Sequence, residues 1–356
     1  GPGWGSLTNQ DQSYVYVTSN HSNWMGDVAQ STSLGQLPFS HIALPGVHDS
    51  GMFDTTEINS LLNDATFISW LASILSPLVG IAVTEFLELS HSEWLHLLVN
   101  FAFTQKDNIT TMLNLGIRYF DFRPGYCAPG YLGNLYHQHN FIPGYSYSGF
   151  LQDVLNWLKA NPTEIVVVSL NFQGFLSTSM QPSLSTLSTY LTNAQNATGT
   201  TSILTGDKND LSRTYSDLCS SNTRLIFLNQ VGASDDATKY DSYDADTYQT
   251  TDVSNVIGAL NGMSGSNQSG YDYTVLQLQA TAEATGGGIF SNIATISDAT
   301  SVILSTKAMF DNQTYAWLRQ NVANEFGFTQ TIVFLNDFGD NALVDIAKDI
   351  TKQRVS

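Results

Sequence analysis

Residues 150–171 read FLQDVLNWLKANPTEIVVVSLN, and the two halves of that stretch decide the fold class. The first half belongs to a helical pattern over residues 148–160; the second, residues 165–170, is a short apolar run of strand type. The alternation recurs in both directions along the chain. Strand-like runs lie at residues 41–44 (HIAL), 117–122 (IRYFDF), 132–136 (LGNLY), 224–228 (RLIFL), 273–278 (YTVLQL) and 331–335 (TIVFL). Helical stretches lie at residues 108–115, 180–194, 252–260 and 315–325. Strands alternating with helices predict repeated βα units around a parallel sheet. Seven or eight strands over 356 residues favour a TIM-like (β/α)8 barrel over an open doubly wound sheet, with distortion or incomplete closure left open. No GxGxxG follows the first strand, which argues against dinucleotide binding. Neither an internal repeat nor a linker divides the chain, so residues 24–356 are expected to form one barrel. Residues 1–23 are read as a lead-in, whose Gly1-Pro2-Gly3 start resembles a tag scar left after removal of any signal peptide.

Charge limits the partners. The formal net charge is −18 with 13 lysines and arginines in all, too few for a nucleic-acid surface and too few for electrostatic docking on anionic lipid. Charged residues make up 12% of the chain, about half the usual share, and Ser, Thr, Asn and Gln stand in their place. Sequons at Asn20, Asn108, Asn196, Asn267 and Asn312 add to the expectation of a secreted, extracellular, fungal-like eukaryotic glycoprotein, monomeric in solution. Cys127 and Cys219 are either one disulfide or two free thiols, and neither belongs to a zinc-type cluster. The acidic stretch 234–246 reads as a surface loop without metal-ligand spacing.

Residues 66–84 (TFISWLASILSPLVGIAVT) carry no charge, with Pro77 in their middle. Length alone makes them a transmembrane candidate, but they sit inside a βα succession, where a helical hairpin, buried or at a lipid surface, is the better expectation.

Three segments carry titratable residues at the carboxyl ends of strand-like runs: residues 41–51 (HIALPGVHDSG), 116–124 (GIRYFDFRP) and 135–139 (LYHQH). In an α/β barrel those ends open on one face, where catalytic groups gather. Asp121 and Arg123, two apart on a strand, point to the same side. Two histidines, two carboxylates and an arginine suit phosphodiester cleavage. A neutral histidine takes a proton from a hydroxyl nucleophile and a protonated one gives a proton to the leaving oxygen. The arginine's fork matches two phosphoryl oxygens.

Residues 44–50 (LPGVHDS) and 116–123 (GIRYFDFR) resemble the two leading motifs of the X-domain of phosphatidylinositol-specific phospholipases C. Residues 136–138 (YHQ) resemble the third motif, and residues 150–166 its following helix and strand. The resemblance covers roughly residues 24–171, and beyond it only Asn336-Asp337-Phe338. It implies a phospholipid or glycolipid substrate, namely phosphatidylinositol or a glycosylphosphatidylinositol anchor, and release of a cyclic inositol phosphate. It implies His48 as general base, His137 as general acid, Asp337 behind the base, and Asp49 and Asp121 holding Arg123 and His137. Arg123 stands where metal-independent members carry an arginine, and Asn171 where calcium-dependent members carry a glutamate, so no cofactor and no metal are expected.

The sequence also departs from that pattern. Gln138 replaces the usual glycine, which leaves His139 as an alternative acid. The Lys and Arg expected to grip the inositol ring are replaced by Asn171 and Asn229-Gln230. With Gln279 and His139, Asn171 and Asn229 form the expected substrate-binding set, and the headgroup stays open between inositol and another glycerophospho-headgroup. A non-catalytic lipid- or glycan-binding module is the third alternative. Residues 53–103 form an apolar insertion at the mouth, with Phe67, Trp70, Leu71 and Ile74 expected to contact a membrane or close as a lid.

Overall fold

The computed structural model describes residues 3–9, 12–127, 130–229, 237–243, 250–264, 270–281 and 302–356. Within the lead-in, β1 (Gly3–Asn9) and β2 (Gln12–Thr18) pair as an antiparallel hairpin. The barrel strands follow: β3 (Ala43–Val47) and β4 (Tyr119–Phe122). A three-stranded antiparallel sheet then interrupts them, made of β5 (Pro124–Gly125), β6 (Tyr136–His139) and β7 (Ile142–Ser146). The barrel resumes with β8 (Val166–Leu170), β9 (Leu204–Gly206), β10 (Thr223–Asn229), β11 (Tyr240–Asp241), β12 (Tyr273–Gln277) and β13 (Thr331–Asn336).

Eight strands form one parallel sheet in the order β11-β12-β13-β3-β4-β8-β10-β9. Among the described residues no pairing joins β9 to β11, so the sheet curls as a distorted, incompletely closed TIM-like barrel. Burial on both faces explains the unbroken apolar runs: every residue of β3, β4, β8 and β13 is buried. Helices cover the outside. Helix Tyr147–Ala160 starts at Ser146, whose side chain accepts the Gly149 N–H, and buries Phe150, Val154 and Leu158 against the sheet. Helix Leu184–Thr198 starts later than residue 180 because Ser183, after Pro182, supplies the cap to Thr186. Helix Val302–Glu325 is longer than residues 315–325.

The run at 132–136 is not a barrel strand. Its last residue begins β6, which pairs antiparallel with β5 and β7. On the segment before it, Arg118 is one residue out of step with Tyr119, Asp121 and Arg123. It points outward into a buried ion pair with Glu164 at 2.9 Å, and Glu164 also accepts the Met25 and Gly26 N–H groups. That pair fastens the first helix, Trp24–Ser31, to the barrel.

The insertion folds as four helices, Thr56–Leu61, Ala65–Val79, Val83–Leu87 and His91–Ala102, around an apolar core of its own. Phe67, Leu71, Trp94 and Leu98 are fully buried in it. The half-buried Trp70 packs edge-on against Phe141, and the half-buried Ile74 packs on the same cluster. The expectation that Phe67 and Leu71 form a lipid-facing or lid surface is therefore corrected, since the insertion's own core takes up both side chains, while Trp70 and Ile74 lie half-buried at its edge. What the insertion exposes lies at its far end, where Leu78, Val83 and Leu87 are 50%, 38% and 47% exposed around the turn at Gly80. Among the described residues no helix is long and apolar enough to cross a membrane. Cys127 and Cys219 are free thiols, and Asn20, Asn108, Asn196 and Asn312 are exposed; Asn267 and Gln230 lie outside the described residues.

Candidate active site

A cavity of about 360 Å³ opens at the carboxyl ends of the barrel strands. Its walls follow the two-residue period of a strand. β4 and the residue after it give Tyr119, Asp121 and Arg123; β8 and its continuation give Ser169, Asn171 and Gln173; β12 gives Val275, Gln277 and then Gln279 and Thr281. His48, Tyr240 and Leu335 complete the lining. Each inward residue owes its direction to being in step with its strand, which is why Asn171 and Gln279 reach the cavity as expected.

Asn229 does not reach it. In the β10–β8 register Asn229 lies opposite Leu170, not Asn171, and so faces the outer side. There it lines a separate cavity of about 390 Å³ with Leu184, Leu187 and Phe227. Its expected place in the substrate set is corrected accordingly.

His48 follows β3. Its Nδ1 lies 2.8 Å from Asp337 Oδ1, just beyond β13, and its Nε2 lies 3.4 Å from Asp49 Oδ2. Burial works against the imidazolium, but the carboxylates of Asp49 and Asp337 outweigh it and push the pKa up to about 9. Burial pushes Asp337 upward, opposed by His48. Asp49 sits in the left-handed region at φ 45°, a conformation that costs an L-residue strain. The Asp49 turn is held by two bonds across the sheet: the Asp49 N–H donates to Asp121 Oδ2 at 3.2 Å and the Ser50 N–H donates to the Asp121 carbonyl at 2.8 Å.

Arg123 joins the carboxylates. Its Nε lies 3.0 Å from Asp49 Oδ1, its Nη2 donates to Asp121 Oδ2 at 3.0 Å, and its Nη1 donates to the Gln173 carbonyl at 3.2 Å. Asn171 Nδ2 donates to Asp121 Oδ1 at 2.8 Å. Against the cost of burial, Arg123 and His48 hold Asp49 well below the usual carboxylate range, and Arg123 does the same more weakly for Asp121. Ligand atoms of His48, Asp49 and Asp121 lie within 4.8 Å of one another, a spacing a metal ion could use. The guanidinium already bridges the two carboxylates from 3.0 Å, so a cation there would meet a fixed positive charge. The residues do not fit a metal.

His137 stands behind this group, not on the cavity wall. It lies on the β5–β6–β7 sheet and is fully buried. Its Nδ1 accepts the Gly51 N–H at 3.2 Å and the Arg123 N–H at 3.4 Å, which places the ring proton on Nε2, facing Asp49 Oδ1 at 3.2 Å. Burial lowers its pKa, so the resting ring is neutral. Gly51 is required here: a Cβ on it would lie 2.3 Å from His137 Cβ. His139 is not on the cavity lining, although its Nδ1 lies 3.7 Å from Asp49 Oδ2. Its Nδ1–H donates to the Ala102 carbonyl at 2.6 Å and its ring stacks on Phe101 of the insertion. Its expected substrate contact is corrected for that reason.

The structure thus brings His48, Asp49, Asp121, Arg123, His137 and Asp337 into one connected group. Sequence reading missed Tyr119, Ser169, Gln173, Tyr240, Gln277 and Thr281 on the wall. A signal was present for all but Tyr240: polar residues in step with Asp121, Asn171 and Gln279 along the same strands. It also missed Thr104 and Gln105, whose buried side chains bond the His48 carbonyl.

No family profile matches the chain. Among curated proteins it is 26% identical over 156 residues to PI-PLC X domain-containing protein 1 of Mus musculus, covering 44% of this chain and 41% of that protein. It is 26% identical over 163 residues to the Homo sapiens protein of the same name, covering 46% of each. The match therefore spans less than half the length of these curated relatives. Solved structures match far more of it. A point mutant of the phosphatidylinositol-specific phospholipase C from Staphylococcus aureus superposes with a TM-score of 0.54 at 16% identity, over 92% of this chain and 96% of that one. The corresponding enzyme from Listeria monocytogenes gives 0.51 at 16% identity, over 93% and 99%. The chain is therefore similar over part of its length to PI-PLC X domain-containing proteins, and it shares a distorted TIM-like barrel with the bacterial structures.

Proposed function

We propose that the protein is a metal-independent phospholipase C-like phosphodiesterase that cleaves phosphatidylinositol or a glycosylphosphatidylinositol anchor. The observation that carries this is His48, held by Asp337 at 2.8 Å on the wall of a cavity whose fixed cation is Arg123. In the proposed reaction the ring 2-hydroxyl gives its proton to His48 and attacks phosphorus. The P–O bond to diacylglycerol breaks, and the leaving oxygen takes a proton from a solvent water held on the Asp49–His137 pair, whose hydroxide is neutralised by the proton on His48, giving a cyclic inositol phosphate. His137 acts through Asp49, since it does not line the cavity itself. Arg123 offers its remaining hydrogens to the phosphoryl oxygens.

The rest of the wall is neutral: Asn171, Gln173, Gln277, Gln279, Thr281 and the hydroxyls of Ser169 and Tyr240. Amides and hydroxyls suit a polyhydroxylated, uncharged ring. Because no lysine lines the cavity among the described residues, a glycerophospho-diester with another neutral headgroup is the second reading. Phosphorus NMR on a panel of inositol and non-inositol phosphodiesters distinguishes them. A five-membered cyclic phosphate from the inositol substrates alone supports the proposal. Turnover of non-inositol diesters only moves the assignment to the second reading, and binding without turnover of any substrate leaves a lipid- or glycan-binding module.

A further inference from the structure

Two polar residues lie where the insertion rejoins the barrel, and both are buried. Thr104 is fully buried and Gln105 is 5% exposed. Thr104 Oγ1 donates to the His48 carbonyl at 3.1 Å and lies 3.0 Å from the Asp49 carbonyl. Its backbone N–H donates to the Met52 carbonyl at 3.1 Å, and its carbonyl accepts the Phe338 N–H at 2.7 Å. Gln105 Nε2 donates to the His48 carbonyl at 2.8 Å and lies 3.4 Å from the Asn336 carbonyl, while its Oε1 accepts the Gly339 N–H at 2.9 Å. Two consecutive residues thus fasten the turn that carries His48 and Asp49 to the turn that carries Asp337, Gln105 through its side chain and Thr104 through its side chain on one turn and its carbonyl on the other.

Those two turns have reason to drift without a fastener. Each holds a non-glycine residue in the left-handed region, Asp49 at φ 45° and Phe338 at φ 46°. Such conformations persist only where surrounding structure over-determines them. Directly between the turns, the backbone supplies the His48 N–H to Asn336 carbonyl bond at 3.0 Å. The His48–Asp337 contact itself depends on both loops keeping register.

We propose that Thr104 and Gln105 are positioning residues that set His48 against Asp337, making the end of the insertion a structural part of the active site. The inference rests on His48 being the reacting histidine, and its test is chosen so that the two can fail separately. The charged groups facing His48 are Asp49 and Asp337, with Arg123 and Asp121 beyond them and Lys307 behind Asp337. Thr104 and Gln105 are uncharged, so any change in the His48 titration on replacing them reports geometry.

The experiment compares Thr104→Val, Gln105→Ala and the conservative Thr104→Ser with wild type. It measures the His48 imidazole midpoint by nitrogen-15 NMR (assigned by the signal lost in His48→Gln), kcat and KM on soluble short-chain phosphatidylinositol, and thermal unfolding. Expected is a kcat loss on the order of 10–10²-fold in Thr104→Val and Gln105→Ala with KM little changed. The His48 midpoint should fall by about one unit or more as Asp337 moves away, and Thr104→Ser should restore both. A lower unfolding temperature with kcat and the His48 midpoint unchanged overturns the proposal, as does a kcat loss without movement of that midpoint. If Gln105→Ala does not fold, the near-isosteric Thr104→Val decides alone. If wild type cleaves no phosphodiester, the proposed function fails, and the His48 midpoint still decides the positioning role.

Discussion

His48 carries a proton more tightly than a free imidazole because Asp49 and Asp337 flank it, and that has a sign that can be measured. Its pKa stands at about 9 against 6.5 unperturbed. A general base must be neutral, so kcat/KM should rise with pH through a midpoint near 9. Asp337→Asn removes one anion and should move that limb to lower pH. A profile already level from pH 6.5 upward would remove His48 from the base role. The same raised pKa is a stability statement: its contribution is complete below 6.5 and is lost as pH rises through about 9. Replacement tests the assignment directly. His48→Ala, and His137→Ala acting through Asp49, should each lower turnover on the order of 10²–10⁴-fold, while His139→Ala should be mild. The reverse order for the last two would transfer the acid to His139. Arg123→Lys should be poorly tolerated, because an ammonium cannot bridge Asp49 and Asp121 as the planar guanidinium does. Activity should survive EDTA; loss in chelator with recovery on adding calcium would contradict the metal-independent reading. Much of this site was legible because His48, Asp49, Asp121, Arg123, His137 and Asp337 fall in short motifs with strand spacing. Thr104 and Gln105 were not. Their importance comes from bonds to the backbones of residues 48 and 336–339, a distance no local pattern reports.

At the scale of elements, the insertion is where composition misled. Residues 66–84 looked like a surface for lipid because they lack charge, yet a four-helix insertion needs an apolar core of its own, and Phe67, Leu71 and Leu75 supply it. Phe67→Ala should destabilise the insertion by about 3–5 kcal/mol, read as a lower unfolding temperature, with losses on vesicles and on soluble substrate alike. We propose the exposed apolar side chains around Gly80 (Leu78, Val83 and Leu87) as the surface for lipid contact. Leu78→Asp combined with Val83→Asp should lower activity on phosphatidylinositol vesicles while sparing a short-chain soluble substrate. Equal losses on both would remove the tip from membrane binding. The β5–β6–β7 sheet was misplaced for a related reason. Residues 132–139 have strand composition, but Tyr136–His139 turn back at Asn140, at φ 56°, into an antiparallel hairpin with β7 outside the barrel, and so His137 approaches Asp49 from behind.

For the whole molecule, the alternation of helix and strand was sufficient to give the barrel, and incomplete closure was among the expectations. Net charge of −18 extends to a property of the intact protein: association with vesicles should be nearly indifferent to added salt, because few cations are present to be screened. A steep loss of vesicle binding between low and physiological salt would point to a basic contact that the tip does not offer. The open seam has a separate consequence. A closed barrel has no edges, whereas this sheet ends at β9 and β11, each with one side unpaired among the described residues. Unpaired strand edges are templates on which a second chain can add, the usual beginning of ordered aggregation. Here they are three and two residues long, and β11 ends on Asp241. Such stubs give an incoming strand too few consecutive N–H and C=O groups to hold. The price of leaving the barrel open is kept low by the shortness of the strands at the opening, so that solubility at high concentration rests on how these two edges end as much as on the acidic surface.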